Sequence, residues 1–463
     1  MKLEGISDKE ILNYYSVDSS FYQIKPKLLV VPKNLSDVIK CVKFANKNKI
    51  SVTVRGGGTG LVGSALGSGI ILDLKNLDKI KISKNHVTAQ PGIKKGKLDQ
   101  ILAKHNKFFG PNPSVGPYCT IGGMIGTNAS GMHSLKYGST IDNLLQVTIV
   151  TGRGKLVTLP SRSKLAQSIV QISKNIGKYP NVSKNSCGYR LDTAKSLENT
   201  HKIIAGSEGT LGIVVSAKLQ IQSIPKRKTL IVLGYSSPKN ALHDCHMIIQ
   251  LKPSAVEFID NYTMKNFRQK FPKNTKCLLF VEFDSNITRS ITNLKSISSG
   301  KLLYKIENQS IAKWWAYRNS ALHYSLKNLL AGQTTSHIIE DATLPVEKLE
   351  QIIPIVSGLK KKFGAKFVMY GHAGNGNLHI RVSVSRNKNI VNSLAKEFFE
   401  QIIRLGGTIT GEHGDGIART KFVKMQYGPK TYSAFLRLKQ QFDPNHTLNP
   451  GKIVSRGTRQ ILA

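Results

Sequence analysis

A short apolar strand at residues 51–55 runs straight into Gly56-Gly57-Gly58-Thr59-Gly60, and glycines recur at 63, 67 and 69 before the next strand begins at 69–74. This density of glycine limits what the chain can fold into more than any other feature. Gly58-Thr59-Gly60-Leu61-Val62-Gly63 satisfies the G-x-G-x-x-G pattern of a dinucleotide site after a strand. The Rossmann form of that site needs a helix to start at the loop, so that its first amides face a diphosphate. Glycines this closely spaced leave no room for one. They do allow successive backbone N–H groups to approach an anion closely, as a nest without a helix.

The surroundings read as α+β. Residues 1–24 suggest a short helix and a polar approach, and 28–32 a strand. Ser36 is placed to cap an amphipathic helix with Val38, Cys41, Val42 and Ala45 on one face. Short strands then alternate with glycine-rich loops to about residue 222. Near Ser223-Ile224-Pro225-Lys226-Arg227 the character changes to strands alternating with longer helical patterns. With 463 residues there is material for two or three domains, each with its own core, and two are expected, at 1–222 and 223–463.

Two motifs in the second part carry legible chemistry. In Gly371-His372-Ala373-Gly374-Asn375-Gly376-Asn377-Leu378-His379, a strand at 366–370 and its return at 378–382 flank a glycine loop. His372 and His379 can then face each other across its mouth. On the returning strand His379 and Arg381 share the face opposite Leu378, Ile380 and Val382. The second motif is Gly411-Glu412-His413-Gly414-Asp415-Gly416. Two imidazoles and a carboxylate suit Zn²⁺ or a similar divalent ion and leave room for a substrate. The adjacent His413 is a candidate proton acceptor. One such histidine alone would read as an ordinary loop residue, whereas two glycine-embedded motifs with complementary ligand types favour a site.

The glycine loop is accompanied by Pro111-Asn112-Pro113-Ser114, by 120–131 (Thr120-Ile121-Gly122-Gly123 to Asn128-Ala129-Ser130-Gly131) and by Ala205-Gly206-Ser207-Glu208-Gly209-Thr210-Leu211-Gly212. Together they resemble the FAD-binding domain of the vanillyl-alcohol-oxidase and p-cresol-methylhydroxylase flavoproteins. The nearest branch contains glycolate oxidase subunits, D-lactate dehydrogenases and D-2-hydroxyglutarate dehydrogenases. The resemblance implies a two-part FAD-binding domain followed by an α+β substrate domain built on an antiparallel sheet. It implies that Arg55, Gly56, Gly57, Gly58, Thr59 and Gly60 hold the FAD diphosphate. Pro113, Ser114, Ile121, Gly122 and Gly123 would lie on the flavin side and Ile213 near the adenine end, with Thr120, Asn128, Ser130, Gly131, Glu208 and Gly212 also binding the cofactor. No histidine stands in the glycine loop, so the FAD is expected to be non-covalent.

The same resemblance maps His372, His379 and Glu412 onto metal ligands for Zn²⁺ or Mn²⁺ and His413 onto the general base. Asn377 and Arg318, the latter in Trp314-Trp315-Ala316-Tyr317-Arg318, map onto substrate contacts, although Arg318 alone reads equally well as a surface charge. Asn375 departs from the family, which has aspartate there. Lys184-Asn185-Ser186-Cys187-Gly188-Tyr189 matches a further segment, its cysteine read as buried. The implied activity is an FAD-dependent dehydrogenase of a small 2-hydroxy acid: D-lactate, glycolate or D-2-hydroxyglutarate. The iron–sulfur module often joined to such chains needs cysteine runs that are missing here. Electrons are therefore expected to pass to a separate acceptor: a quinone, a cytochrome, an electron-transfer flavoprotein or an iron–sulfur subunit. The segment at Asn449-Pro450-Gly451 is expected to pack back towards the flavin.

The formal net charge of +40 is the remaining feature. It would suit an anionic partner, but the lysines are spread along the chain, and no nucleic acid is expected. A basic nucleic-acid-binding protein and a flavin subunit that only relays electrons stay open as rival readings. Five widely spaced cysteines give no disulfide framework, and His243-Asp244-Cys245-His246 is read as structural. Without an apolar span or a targeting pattern, the expected location is the cytoplasm, with room for peripheral contact at the inner face of a membrane.

Overall fold

The computed structural model describes residues 3–455 apart from 266, 268, 321–332, 337 and 386. It begins with the helix Lys9–Tyr14 and a three-stranded parallel sheet of β1 (Leu28–Val30), β2 (Val52–Arg55) and β3 (Ile70–Asp73), in the order β1-β3-β2. The helix Leu35–Asn48 covers this sheet with Val38, Cys41, Val42 and Ala45, the face expected from its 3.6-residue period. Its cap is Asn34, not Ser36. Asn34 is extended and its side chain accepts from the Asp37 N–H, while the Asp37 carboxylate reaches back to the Lys33 N–H.

A second sheet is antiparallel, with the order β4 (Ile80–Ile82), β5 (His86–Ala89), β9 (Ile213–Gln220), β7 (Leu144–Val150) and β8 (Leu156–Leu159). β9 serves two cores. Ile213 and Val215 point to the core under the parallel sheet, and Val214, Ala217 and Leu219 to the main core. That alternation explains its nearly continuous apolar sequence. At the seam between the two parts, β6 (Lys107–Phe108) pairs with β10 (Gln222–Ser223).

The second part is a seven-stranded antiparallel sheet, ordered β14 (Lys301–Glu307), β11 (Thr229–Tyr235), β13 (Cys277–Phe283), β12 (Ala255–Asp260), β16 (Lys366–His372), β17 (Asn377–Ser385) and β15 (Gln333–Ser336). Residues of β11, β12 and β13 are buried throughout. One face packs on Trp314, Trp315 and Phe267. The other packs on the helix Pro238–Ile248, whose Ala241, Leu242 and Cys245 turn inward. The His243–His246 stretch lies on that helix and is structural, with His243 paired to Glu350 near the surface. The tight turn between β16 and β17 sets His372 opposite Asn377 and Tyr370 opposite His379.

The chain then crosses back. Gly416–Phe442 is helical with a break at Gly428, whose φ of 70° ends the first segment before Pro429 opens the second. Beyond it Leu448 bridges in parallel to Val52 of β2. The buried Asn449 side chain accepts from the Thr53 hydroxyl and donates to the Ser64 and Glu208 carbonyls, at 3.1, 2.9 and 2.7 Å. The C-terminal segment thus locks the glycine loop in place. Asn449→Ala removes three buried hydrogen bonds and should destabilise the fold by about 2–4 kcal/mol. A urea midpoint unchanged from wild type would contradict that role.

Candidate active site

A single cavity of about 430 Å³ runs between the two parts. At one end it is walled by Arg55 to Gly60, at the other by Arg318, Tyr370, His372, His379, Arg381, Glu412 and His413. Pro113, Ser114, Thr120, Gly122, Gly123, Ser130, Gly131, Glu208 and Gly212 line the stretch between.

The glycine end is shaped by close backbone approach. A Cβ on Gly57 would lie 2.5 Å from the Tyr118 carbonyl oxygen, and Gly58 holds a φ of +67° with its would-be Cβ 2.5 Å from the Arg55 guanidinium. Arg55 Nη1 is buried without a hydrogen-bond partner, which suits an anionic ligand in a glycine-walled cradle. The guanidinium lies over the Tyr15 ring, and the Tyr15 hydroxyl donates to Asp73 at 2.6 Å. These residues fit a dinucleotide such as FAD.

Three of the expected cofactor residues do not reach the cavity. Ile213 lies on the opposite face of β9 from its cavity-lining neighbours Gly212 and Val214, buried in the core beneath the parallel sheet. Ile121 is turned into the main core from the first turn of the helix Ile121–Thr127. Asn128 ends that helix in the left-handed region, and its carboxamide is spent on the Ile141 N–H and the Asn185 carbonyl. In each case backbone periodicity or capping claims the side chain.

At the other end, β16 and β17 bring His372 and His379 together with ring centroids 5.1 Å apart. The Nε2 atoms of both converge on Glu412 Oε1, at 3.0 Å from His372 and 3.3 Å from His379. His372 Nδ1 is held by Glu257 Oε1 at 2.6 Å, the carboxylate–imidazole pairing that fixes a ligating ring. Burial pushes the His379 pKa down to about 4, keeping the ring neutral. Burial alone would raise the Glu412 carboxyl, but Lys184 and His372 outweigh it and hold it well below the usual range. A neutral His379 ring and an ionised Glu412 are the states that a divalent ion requires of those two groups. Asp341 also lies within reach of His379, Glu412 and His413. Its Oδ2, however, already accepts the N–H groups of Gly411, Glu412 and His413, at 3.1, 3.0 and 2.8 Å. Asp341 therefore anchors the loop, and His372, His379 and Glu412 could hold an ion, with His413 also within reach of it.

His413 stacks on His379, with rings 5.2 Å apart and 9° from parallel, and its Nδ1 is bonded to Glu340 Oε1 at 2.6 Å. That leaves Nε2 turned towards Glu412, 3.7 Å away. Burial lowers its pKa, but Asp341 and Glu340 outweigh burial and hold it up at about 9. A dication on Glu412 would oppose them.

Arg318 is not a surface charge. It is buried, with Nε on Glu257 Oε2 at 2.6 Å and its guanidinium over the Tyr370 ring. Asn377 stays out of the cavity. It is fully buried, donating to Asp341 and Ala342 and accepting from Lys184, because the turn into β17 points it at the 341–342 segment. Asn375, the departure from aspartate, donates to Ser183 and accepts from Ser134. A carboxylate could keep the Ser183 bond only by accepting it, and that hydroxyl already donates to the Asn375 carbonyl at 2.8 Å. Ser130 and Gly131, expected to bind the cofactor, do line the cavity, and both also donate to Glu412 Oε2, at 2.6 and 3.0 Å.

A profile of FAD binding domains matches residues 26–160, and one of the C-terminal domains of FAD linked oxidases matches 224–453. The chain belongs to the FAD-linked oxidases. Among its relatives, this FAD-linked oxidase is 29% identical to the D-2-hydroxyglutarate dehydrogenase of Haemophilus influenzae, over 95% of this chain and 49% of that protein. It is 28% identical to the glycolate oxidase subunit GlcD of Bacillus subtilis, over 96% and 93% respectively. It is also 28% identical to the D-lactate dehydrogenase of Anaerostipes hadrus, over 98% and 96%. The chain thus spans about half the length of the D-2-hydroxyglutarate dehydrogenases it matches. An alkyldihydroxyacetonephosphate synthase shares the fold, with a TM-score of 0.67 at 20% identity over 96% of this chain and 83% of that one.

Sequence reasoning missed Lys184, Glu257, Glu340 and Asp341 as parts of this FAD-linked oxidase's site. A signal was available for the acids. The chain has only 27 acidic residues against 67 lysines and arginines, so a glutamate inside the apolar strand β12 or an adjacent acidic pair stands out.

Glu257 yields a pH prediction. Burial would raise its carboxyl, but Arg318 and His372 outweigh burial and hold it down at about 2, against an ordinary 4.5. A depressed acid contributes stability above 4.5 that is lost as pH falls towards 2. Glu257→Gln should therefore be less stable than wild type at neutral pH, with the gap closing as pH drops through that window in thermal melts. A gap independent of pH would refute it.

Proposed function

We propose that this FAD-linked oxidase is a dehydrogenase that oxidises a small 2-hydroxy acid to the 2-oxo acid. Residues 1–222 would hold non-covalent FAD and 223–463 the substrate and a divalent ion. The observation carrying this reading is the continuity of one cavity from the Arg55–Gly60 cradle to the His372–His379–Glu412 cluster. A cofactor along the first and a substrate at the second would be in direct contact. The names of the relatives, acting on D-2-hydroxyglutarate, D-lactate or glycolate, give the substrate class.

When bound, FAD supplies the two-electron acceptor and a Zn²⁺ or Mn²⁺ ion polarises the substrate oxygens. The protein's own groups do the rest. His372, His379 and Glu412 would hold the ion. Glu257 fixes the His372 ring, and Asp341 fixes the backbone that carries Glu412 and His413. Glu340 holds His413 Nδ1, so the nitrogen available for the hydroxyl proton is Nε2. Arg318 supplies a cation at the substrate carboxylate, steadied by Glu257. The Bacillus subtilis relative is named as a subunit, which supports a separate partner chain. Among the described residues no helix is long and apolar enough to cross a membrane.

Anaerobic addition of D-lactate, glycolate or D-2-hydroxyglutarate to the flavin-loaded, metal-replete protein should bleach the flavin absorbance with at least one of them. His413→Ala should slow that bleaching by about 10²–10⁴-fold while leaving FAD bound. Full-speed reduction in this variant would rule out the base, and failure of every hydroxy acid would rule out the substrate class.

A further inference from the structure

The carboxylate of Glu412 is divided between the two parts of the chain. Oε1 faces the imidazoles of His372 and His379. Oε2 receives three donors, all from the first part: Ser130 Oγ at 2.6 Å, the Gly131 N–H at 3.0 Å and Lys184 Nζ at 3.0 Å. The Lys184 side chain is wholly buried. Its other contacts are the Gly131 carbonyl at 3.2 Å and Asn377 Oδ1 at 3.5 Å, so its charge has Glu412 as its ion-pair partner. Lys184 does not line the cavity, so it touches neither cofactor nor substrate.

A carboxylate oxygen that already accepts three donors has no lone pair left for a cation. A carboxylate pinned this way can ligate only through its other oxygen. An unpinned one is free to turn or to bind through both oxygens, using up a position that a chelating hydroxy acid needs. Burying a lysine is costly unless the ammonium is paired and hydrogen-bonded, which favours a specific role over a packing role.

We propose that Lys184 is a positioning residue: from the first part of the chain, with Ser130 and Gly131, it occupies Glu412 Oε2 and so presents Oε1 alone to the metal. This rests on the reading of His372, His379 and Glu412 as a divalent-ion site. It makes the orientation of the Glu412 ligand, though not the ligand set itself, depend on the first part of the chain.

The test is calorimetric titration of Zn²⁺ and of Mn²⁺ into metal-stripped, flavin-loaded protein, comparing wild type with Lys184→Met and Ser130→Ala. Lys184→Met should keep its flavin spectrum and weaken metal binding by about 10–100-fold, the usual effect of losing a group that orients a ligand. Ser130→Ala, which removes a neutral donor from the same oxygen, should weaken it less but in the same direction. The double variant should lose less than the two effects combined. If Lys184 acted only as a nearby positive charge, its removal would tighten binding. Tighter or unchanged binding in Lys184→Met therefore overturns the proposal. Should that variant fail to fold, unchanged affinity in Ser130→Ala overturns it equally. If wild type binds neither ion, the metal reading itself fails and this proposal falls with it, an outcome distinct from a wild type that binds beside variants that do not differ.

Discussion

The carboxylate of Glu412 is the joint on which the structure turns. One oxygen belongs chemically to the second part of the chain and the other to the first. Both groups of contacts are short and buried, so neither part can shift by an ångström without breaking some of them. Buried charges are tolerated only when fully paired, and here the pairing runs through both parts. Around this joint the same arrangement repeats. The Glu208 carboxylate, from the first part, accepts the N–H groups of Asp415 and Gly416, and Asp341, from the second, accepts those of Gly411 to His413. The loop carrying Glu412 and His413 is thus held by a carboxyl group from each side.

This also changes what the charge of the chain means. Glu208, Glu257, Glu282, Glu340, Asp341 and Glu412 are all inside the molecule. Most of them pair with buried cations or fix backbone amides, and Glu282 holds the His133, Ser254 and Trp315 side chains. The outside is therefore richer in cations than composition alone implies.

Much of the architecture was legible in the sequence because it follows from periodicity and glycine. The helix over Val38 to Ala45, the β16–β17 turn that faces His372 with His379, and the rejection of a Rossmann helix after Gly60 all rest on local chemistry. The errors were also local. Ser36 yielded to Asn34 as a cap because Asn34 is the extended residue. Ile213, Ile121 and Asn128 were grouped with their cavity-lining neighbours although strand alternation or helix capping turns each away. What could not be read was convergence. Lys184, Glu257 and Asp341 lie far apart in the chain and meet only through the topology of the seven-stranded sheet and the returning C-terminal segment. Asn377, next to a ligand loop in sequence, is drawn away from the cavity by that same convergence.

The account stands on the cofactor cradle and the histidine–glutamate cluster being two ends of one site. The most direct measurement is a crystal structure of the protein grown with FAD and Zn²⁺, with diffraction collected at the zinc absorption edge. The predicted result is cofactor density running from Arg55 towards Ser130, with a single strong anomalous peak between His372 Nε2, His379 Nε2 and Glu412 Oε1 in the same cavity. Cofactor density elsewhere, or an anomalous peak away from these three atoms, would contradict it.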